Sequence, residues 1–329
     1  MTEPVKLYRH GGRLADAALQ FPDAPCPWVD LSTGINPHAW AGPRADGAAL
    51  RRLPDPAETA ALEAGAAAAF GVRAEQVIAF PGAEAALRAL PRLTGARSVA
   101  IMAPTYGGHA QAWAAASCAV HPFIWQSPVP QAGALVVVNP NNPDGRALPV
   151  AEIMSLASPE RLLIVDESFV EVTPELSVAA QASERVIVLR SFGKFYGLAG
   201  VRLGFLLAGP GLCARLRAEL GDWPVSAEAI AAGRGAYADP TWADATRVRL
   251  TVDAARLDAL LRGAGFEIVG GTSLFRLTAS PRAGFWFNHL AGHGILLRPF
   301  AYQPGWLRFG LPGTAPEWAR LETALREHA

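Results

Sequence analysis

Lysine is nearly absent from the sequence. Lys6 and Lys194 are the only lysines among 29 basic side chains, so the other 27 are arginine. In such a sequence, a lysine within an apolar loop is not needed for positive charge alone, an argument that does not apply to Lys6. Unlike arginine, lysine can lose its proton and attack a carbonyl carbon. Because Lys194 lies among apolar residues, it is a candidate nucleophile.

The sequence also lacks net charge and long apolar runs. Its 29 basic and 29 acidic side chains give a pI near 7.1, which provides no field to hold a nucleic-acid backbone. No apolar run reaches the roughly 18 residues of a membrane span. The first residues are charged where a signal peptide needs an apolar core. We therefore expect a cytoplasmic protein with no nucleic-acid or membrane partner.

Metal-ligand and disulfide patterns are missing as well. The three cysteines are widely spaced, which argues against a disulfide framework and against a cysteine metal site. His289 and His293 lie four residues apart and could share a helix face, but the sequence places no third ligand near them. The sequence therefore predicts no metal site.

The pattern from about Pro56 onward is an alternation of Ala/Leu-rich helical stretches with short apolar runs. Such alternation is typical of an α/β fold with a mostly parallel sheet and helices on both faces. The predicted strands are Val77 to Phe80, Ser98 to Met102, Ala134 to Val138, Leu162 to Val165, Val186 to Leu189 and Leu203 to Leu207.

A second, smaller α+β domain is predicted from a long helix at about Trp242 to Arg262 and four short strands after it. The Pro- and Gly-rich start resembles an extended arm. We expect an N-terminal arm at 1–53 that belongs to the small domain, a large domain at 54–238 and a C-terminal small domain at 239–329.

The most informative segment runs from Ser191 through Lys194 to Arg202, directly after a predicted strand. A sheltered lysine can form a Schiff base, and the flanking hydroxyl and guanidinium suit a phosphate monoester. The Ser-x-x-Lys spacing also occurs in penicillin-recognising enzymes. Those enzymes need Ser-Asp-Asn and Lys-Thr-Gly, and neither string occurs in this sequence.

Two further polar groups follow predicted strands. Asn142 lies in a turn-rich string after one strand, and Asp166 ends the next. In open α/β sheets, ligands bind at the carboxyl ends of the strands. A carboxylate there can keep a pyridinium nitrogen protonated, and an amide can bind a phenolate oxygen.

Taken in order, these motifs resemble the fold-type-I pyridoxal-phosphate enzymes of the class I/II aminotransferase superfamily, over almost the whole chain. The resemblance implies that Lys194 forms the Schiff base with pyridoxal 5'-phosphate and that 54–238 binds this cofactor. It also implies that Asp166 pairs with the pyridine nitrogen, Asn142 with the phenolic oxygen, and Tyr106 with the ring face. The implied phosphate-binding residues are Gly82, Ala83, Ser191 and Arg202.

Two branches of the superfamily are similar to this sequence: histidinol-phosphate aminotransferases and the threonine-phosphate decarboxylases of cobalamin biosynthesis. The second branch is favoured by three features of the sequence. The arm contains His10-Gly-Gly and Gly34-Ile-Asn-Pro, and the C-terminal part contains Gly-Ile-Leu-Leu-Arg298-Pro-Phe and Trp-Leu-Arg308-Phe-Gly, which resemble strings of that branch. Phe169 stands where aminotransferases usually carry tyrosine. By this resemblance Arg308 binds the substrate carboxylate, and Arg298 the phosphate or carboxylate. The implied substrate-binding residues are His10, Gly34, Ile35, Asn36, Arg298 and Arg308.

The resemblance implies a homodimeric carbon–carbon lyase that decarboxylates L-threonine O-3-phosphate, a small phosphorylated amino acid. A histidinol-phosphate-type aminotransferase and a non-catalytic partner in cobinamide assembly are the alternatives. An NAD-dependent oxidoreductase is disfavoured because no Gly-x-Gly-x-x-Gly opens a helix after a strand.

Two positions depart from the family pattern. Leu53 stands where the family has a tyrosine that often reaches the neighbouring subunit's cofactor phosphate, and Gly193 replaces a second hydroxyl before the lysine. We therefore expect looser binding of the cofactor.

Overall fold

The computed structural model of the chain describes Leu7 and residues 10–328. The helices are α1 (Leu14–Gln20), α2 (Pro56–Phe70), α3 (Ala83–Thr94), α4 (Gly108–Ala115), α5 (Val150–Met154), α6 (Phe192–Phe195), α7 (Pro210–Leu220), α8 (Ala227–Tyr237), α9 (Pro240–Gly263), α10 (Ala283–Gly292) and α11 (Ala315–Arg326). The strands are β1 (Val29–Asp30), β2 (Val77–Phe80), β3 (Ser98–Met102), β4 (Ala119–Phe123), β5 (Ala134–Val138), β6 (Leu162–Asp166), β7 (Val186–Ser191), β8 (Gly204–Leu207), β9 (Glu267–Thr272), β10 (Phe275–Ala279), β11 (Ile295–Leu296), β12 (Arg298–Pro299) and β13 (Trp306–Gly310).

The chain forms two compact units. The larger contains Ala39–Asn142 and Arg146–Ala243. The smaller contains the described residues up to His38, the short stretch Pro143–Gly145 and the residues from Asp244 onward.

The larger unit is built on a seven-stranded sheet with the order β2-β8-β7-β6-β5-β3-β4. Strand β8 is antiparallel to both of its neighbours, and the other four pairs are parallel. The interior strand β5 is buried along its whole length, and it consists of consecutive apolar residues instead of alternating ones. The α/β fold expected from the sequence is confirmed.

One strand of this sheet was not predicted. Strand β4 lies at the sheet edge and contains the exposed residues His121 and Pro122, so it lacks the apolar run that marks the other strands. An edge strand has a neighbour on one side only. A proline, which lacks an N–H, can therefore stand there without removing a hydrogen bond from the sheet.

The smaller unit contains a four-stranded antiparallel sheet with the order β12-β13-β10-β9 and a short parallel pair formed by β1 and β11. Its α+β class agrees with the sequence. Helix α1 lies in the stretch that the sequence predicted only as an extended arm. Among residues 10–328, none of the helices has both the length and the apolar character needed to cross a membrane.

Candidate active site

The sheet of the larger unit brings the predicted cofactor residues to one edge. Parallel strands end at the same edge, and Asp166 and Ser191 are the last residues of β6 and β7. Because β8 runs in the opposite direction, it begins at that edge, where Gly204 pairs with both Ser191 and Phe80. The residues that follow or precede these strand ends are thus gathered together: Gly82, Ala83, Lys194 and Arg202.

Asp166 is a buried carboxylate that the structure holds ionised. It accepts hydrogen bonds from His109 Nε2 at 2.8 Å, Ser168 N at 2.9 Å and Ser168 Oγ at 2.5 Å. Burial raises the pKa of Asp166, but the hydrogen bond and charge of His109, with those of Ser168, outweigh it and leave the pKa below its ordinary 3.8. A buried anion of this kind can keep a proton on a heterocyclic nitrogen.

His109 is a site residue that the sequence reasoning missed. It lies in the first turn of α4, is fully buried, and has no described hydrogen-bond partner at Nδ1. Since a carboxylate only accepts hydrogen bonds, Nε2 must donate to Asp166. The signal that could have found it is its position, three residues after Tyr106 and at the start of a helix that follows a strand end.

Tyr106 is held by the first turn of α3. Its hydroxyl donates a hydrogen bond to Glu84 Oε2 at 3.1 Å, and its ring lies edge-on to His109 with centroids 6.3 Å apart. Burial, followed by the charge of Glu84, raises the pKa of Tyr106 well above its ordinary value. Tyr106 therefore stays a neutral phenol and offers a ring face near the buried carboxylate.

Lys194 lies in the short helix α6 between the buried residues Gly193 and Phe195. Its Nζ is 5.8 Å from the ring centroid of Phe169, which is itself buried. Phe169 thus lies beside the lysine, at the position where aminotransferases usually carry a tyrosine.

Gly82 and Arg202 form a cradle at the N-terminus of α3. Gly82 has a φ of +90°, and a Cβ there would lie 2.6 Å from Arg202 Nη2, so only glycine allows the guanidinium to approach. The first amides of a helix have no intrahelical partners and attract anions, and an arginine adds a fixed positive charge. This cradle fits the phosphate of a cofactor.

Buried amides position the loop that carries Asn142. Asn139 Nδ2 donates to Leu148 O at 3.1 Å, and Asn141 Nδ2 donates to Pro104 O at 2.9 Å. These bonds fix the chain directly after β5 and hold Asn142, which is half-buried, at the same sheet edge. The sequence marked this string only as rich in turns.

In the smaller unit, Arg298 and Arg308 are directly opposite each other on β12 and β13. Arg308 is buried and donates from Nη2 to Ser32 O at 2.9 Å. Burial, followed by the charge of Arg298, lowers the pKa of Arg308 to about 9. Like charges facing each other across a sheet are destabilising, so this pair favours the presence of an anion.

The other predicted substrate residues lie in the same unit. Asn36 is buried and accepts a hydrogen bond from His38 N at 2.9 Å. Ser32, four residues before Asn36, accepts the hydrogen bond from Arg308 and so ties this part of the chain to β13. Gly34 is buried, and His10 and Ile35 are half-buried.

The expectation that His289 has no third metal-ligating side chain nearby is wrong. Glu327 and His328 lie beside it, with one ligand atom of each residue within 4.8 Å of the others. The sequence could not show this, because the partners come from the far end of the chain.

The groups at the edge of the larger sheet suit pyridoxal phosphate, as in fold-type-I enzymes: an ionised buried carboxylate, a lysine and a phosphate cradle. The chain belongs to the family of class I and II aminotransferases, which matches residues 27–325. The cofactor of this family is pyridoxal 5'-phosphate.

Individual relatives are similar over nearly the full chain. A threonine-phosphate decarboxylase from Sinorhizobium sp is 41% identical over 96% of this chain and 97% of its own. A threonine-phosphate decarboxylase from Pseudomonas aeruginosa is 39% identical over 97% of each chain. A crystal structure of a histidinol-phosphate aminotransferase from Sinorhizobium meliloti in complex with pyridoxal-5'-phosphate has a TM-score of 0.83, covers 100% of this chain and 99% of that one, and shares the fold at 17% identity.

Proposed function

We propose that the protein decarboxylates L-threonine O-3-phosphate to (R)-1-amino-2-propanol O-phosphate in cobalamin biosynthesis. The observation that carries the proposal is the facing pair Arg298 and Arg308, one of them buried, because a substrate with a carboxylate and a phosphate supplies the anions that such a pair favours. The identity to two threonine-phosphate decarboxylases supports the same conclusion.

When bound, pyridoxal phosphate supplies an aldehyde that condenses with amines and a ring that withdraws electrons from the substrate's alpha carbon. Lys194 would provide the amine that holds the cofactor. Asp166, positioned by His109, would keep a proton on the pyridine nitrogen. Asn142 would donate a hydrogen bond to the phenolic oxygen, and Tyr106 would present its ring face to the cofactor.

The remaining residues bind and orient. The cofactor phosphate would be held by Gly82, Ala83, Ser191 and Arg202, at the cradle described above. Arg308 binds the substrate carboxylate, and Arg298 binds its phosphate, assisted by His10, Gly34, Ile35 and Asn36. With the cofactor bound, its ring would supply the acceptor for the electron pair that carbon dioxide leaves on the alpha carbon, and these residues would hold the substrate in place for that loss.

We also propose that the protein is a cytoplasmic homodimer and that its large domain at 54–238 binds the cofactor. Sedimentation measurements test this: two chains per particle are expected, and a monomer at assay concentration would contradict the proposal.

The function is tested by incubating the holoenzyme with L-threonine O-3-phosphate and measuring carbon dioxide, with and without 2-oxoglutarate. We expect carbon dioxide release that does not depend on the keto acid. Amino transfer to 2-oxoglutarate without carbon dioxide would instead identify an aminotransferase.

Variants separate catalysis from binding. Lys194→Ala should abolish carbon dioxide release and fail to restore cobalamin synthesis in a pathway mutant. Growth with Lys194→Ala would support the non-catalytic alternative.

Arg298→Met should raise the KM for L-threonine O-3-phosphate more than the KM for L-threonine. Only the phosphorylated substrate has a phosphate that Arg298 can bind, so only that substrate loses this contact.

A further inference from the structure

A cluster of three histidines and one glutamate lies in the smaller unit, apart from the residues assigned to the substrate. His289 is in the last turn of α10, His293 directly follows that helix, and Glu327 and His328 follow α11. Three of the seven histidines of the chain are thus close together. His293 Nε2 lies 3.2 Å from Glu327 Oε2, and His289 Nε2 lies 3.6 Å from the same oxygen.

One ring nitrogen of each of these two histidines faces a backbone carbonyl, and His293 Nε2 faces the Glu327 carboxylate. His293 Nδ1 bonds to His289 O at 3.0 Å, and His289 Nε2 bonds to Ala324 O at 2.8 Å. Metal-binding histidines characteristically donate their second N–H to a backbone carbonyl, which fixes the ring and the tautomer. With its proton on Nδ1, a neutral His293 would point the lone pair of Nε2 at the Glu327 carboxylate. A cation between them would turn that repulsion into attraction.

The spacing of the donors suits a small tetrahedral ion. Zinc bonds of about 2.0–2.1 Å to nitrogen and oxygen place neighbouring ligand atoms roughly 3.3 Å apart. The 3.2 Å between His293 Nε2 and Glu327 Oε2 is close to that value. His289 Nε2 lies 3.6 Å from the same oxygen, and it would exchange its hydrogen bond to Ala324 O for the metal. One ligand atom each of His289, Glu327 and His328 lies within 4.8 Å of the others, and the side chains of Glu327 and His328 are exposed. Phe285 stacks on His289 with an interplanar angle of 6°, which further fixes the ring.

We propose that His289, Glu327 and His328, together with His293, form a binding site for a divalent transition-metal ion of the zinc type. The bound ion would join the C-terminal end of α11 to α10. Imidazole and carboxylate ligands are typical of zinc, whereas calcium and magnesium prefer oxygen ligands alone.

The test is a calorimetric titration of the untagged holoenzyme with zinc chloride, after removal of metals with a chelator and dialysis. We expect one equivalent of zinc per chain. His328→Ala and Glu327→Gln should each weaken zinc binding roughly tenfold or more. His121→Ala, which removes an exposed histidine outside the cluster, should leave binding unchanged.

Thermal unfolding gives a second measurement, because a ligand that binds only the folded state raises Tm. Zinc should raise the Tm of the wild type and of His121→Ala but not that of His328→Ala. His328 is exposed, so its replacement leaves the fold intact. Failure of the wild type to bind zinc, or equal binding by the wild type and His328→Ala, would overturn the proposal.

Discussion

His109 Nε2 donates a hydrogen bond to Asp166 Oδ2 at 2.8 Å, with both side chains buried. A buried carboxylate would normally favour its neutral form, because burial removes the water that stabilises the charge. Here His109 and Ser168 reverse that preference and lower the pKa of Asp166. His109 is therefore the positioning residue on which the charge of Asp166 depends.

We predict that His109→Ala shifts the acid limb of kcat/KM to higher pH. His109 lowers the pKa of Asp166, so its removal raises that pKa and the carboxylate takes up a proton at a higher pH. His109→Asn, which keeps an N–H donor, should shift the limb less. The pH profile of carbon dioxide release for both variants measures the effect.

His121→Ala is the matched control, since His121 is exposed on the edge strand β4. It should reproduce the wild-type pH profile. If His109→Ala lowered activity equally at every pH, the role of His109 in holding the charge of Asp166 would be refuted.

Gly193→Ser should weaken cofactor binding, although it supplies the hydroxyl that the family usually carries before its lysine. A Cβ at Gly193 would lie 2.5 Å from Ala199 Cα and 3.1 Å from Ala199 N, and backbone atoms cannot move aside cheaply. The added atoms must displace α6, and Lys194 with it. Overpacking of this kind costs about 1–3 kcal/mol.

Gly200→Ser is the control for this substitution, because a Cβ at Gly200 has nothing within 4 Å and the residue is exposed. Cofactor affinity from absorbance titration and Tm should fall for Gly193→Ser and stay near wild type for Gly200→Ser. Tighter binding in Gly193→Ser would show that the missing hydroxyl matters more than the close packing.

Much of the fold and site could be predicted because the signals are local. Strand β2 has the predicted bounds Val77–Phe80, since a fully buried strand must be a continuous apolar run. Asp166 and Lys194 follow such runs, so their shared sheet edge follows from strand direction. The placement of these residues at one edge needed no long-range information.

Contacts between distant segments could not be predicted in this way. The bond from His109 to Asp166 spans 57 positions in the sequence, and it depends on the angle at which α4 leaves the sheet. The pairing of Arg298 with Arg308 depends on strand register. A register change of one residue would move an arginine to the other face, and the sequence does not fix that register by itself.

Arg190→Met should destabilise the protein strongly. Arg190 is buried, and its Nη1 lies 3.2 Å from Glu167 Oε2. Its Nη2 forms a second ion pair with Glu171. Removing one member of a buried ion network leaves charges without compensation, which costs about 3–5 kcal/mol. The free energy of unfolding from urea denaturation of the holoenzyme measures the loss.

The control for Arg190→Met is Arg73→Met, in which an exposed arginine loses its ion pair with Glu75. Water screens that pair, so the change should be within roughly 0.5 kcal/mol. Similar losses in both variants would mean that the buried network adds no more to stability than a surface pair.

Leu53→Tyr should slow the loss of cofactor during dialysis. Leu53 is an apolar side chain with 63% of its surface exposed, at the position where the family has a tyrosine that often reaches the neighbouring subunit's cofactor phosphate. In the proposed homodimer, the new hydroxyl would add a hydrogen bond to that phosphate, and a hydrogen bond to a charged group contributes about 1.5–3 kcal/mol. The absorbance of retained pyridoxal phosphate after stepwise dialysis measures the rate of loss. Leu50→Tyr, at another exposed leucine of the same segment, controls for the added ring. If the wild type retained all of its cofactor, the expectation of loose binding would be refuted. If the wild type and Leu53→Tyr lost the cofactor at the same rate, the proposed hydrogen bond from the tyrosine hydroxyl to the phosphate would be refuted.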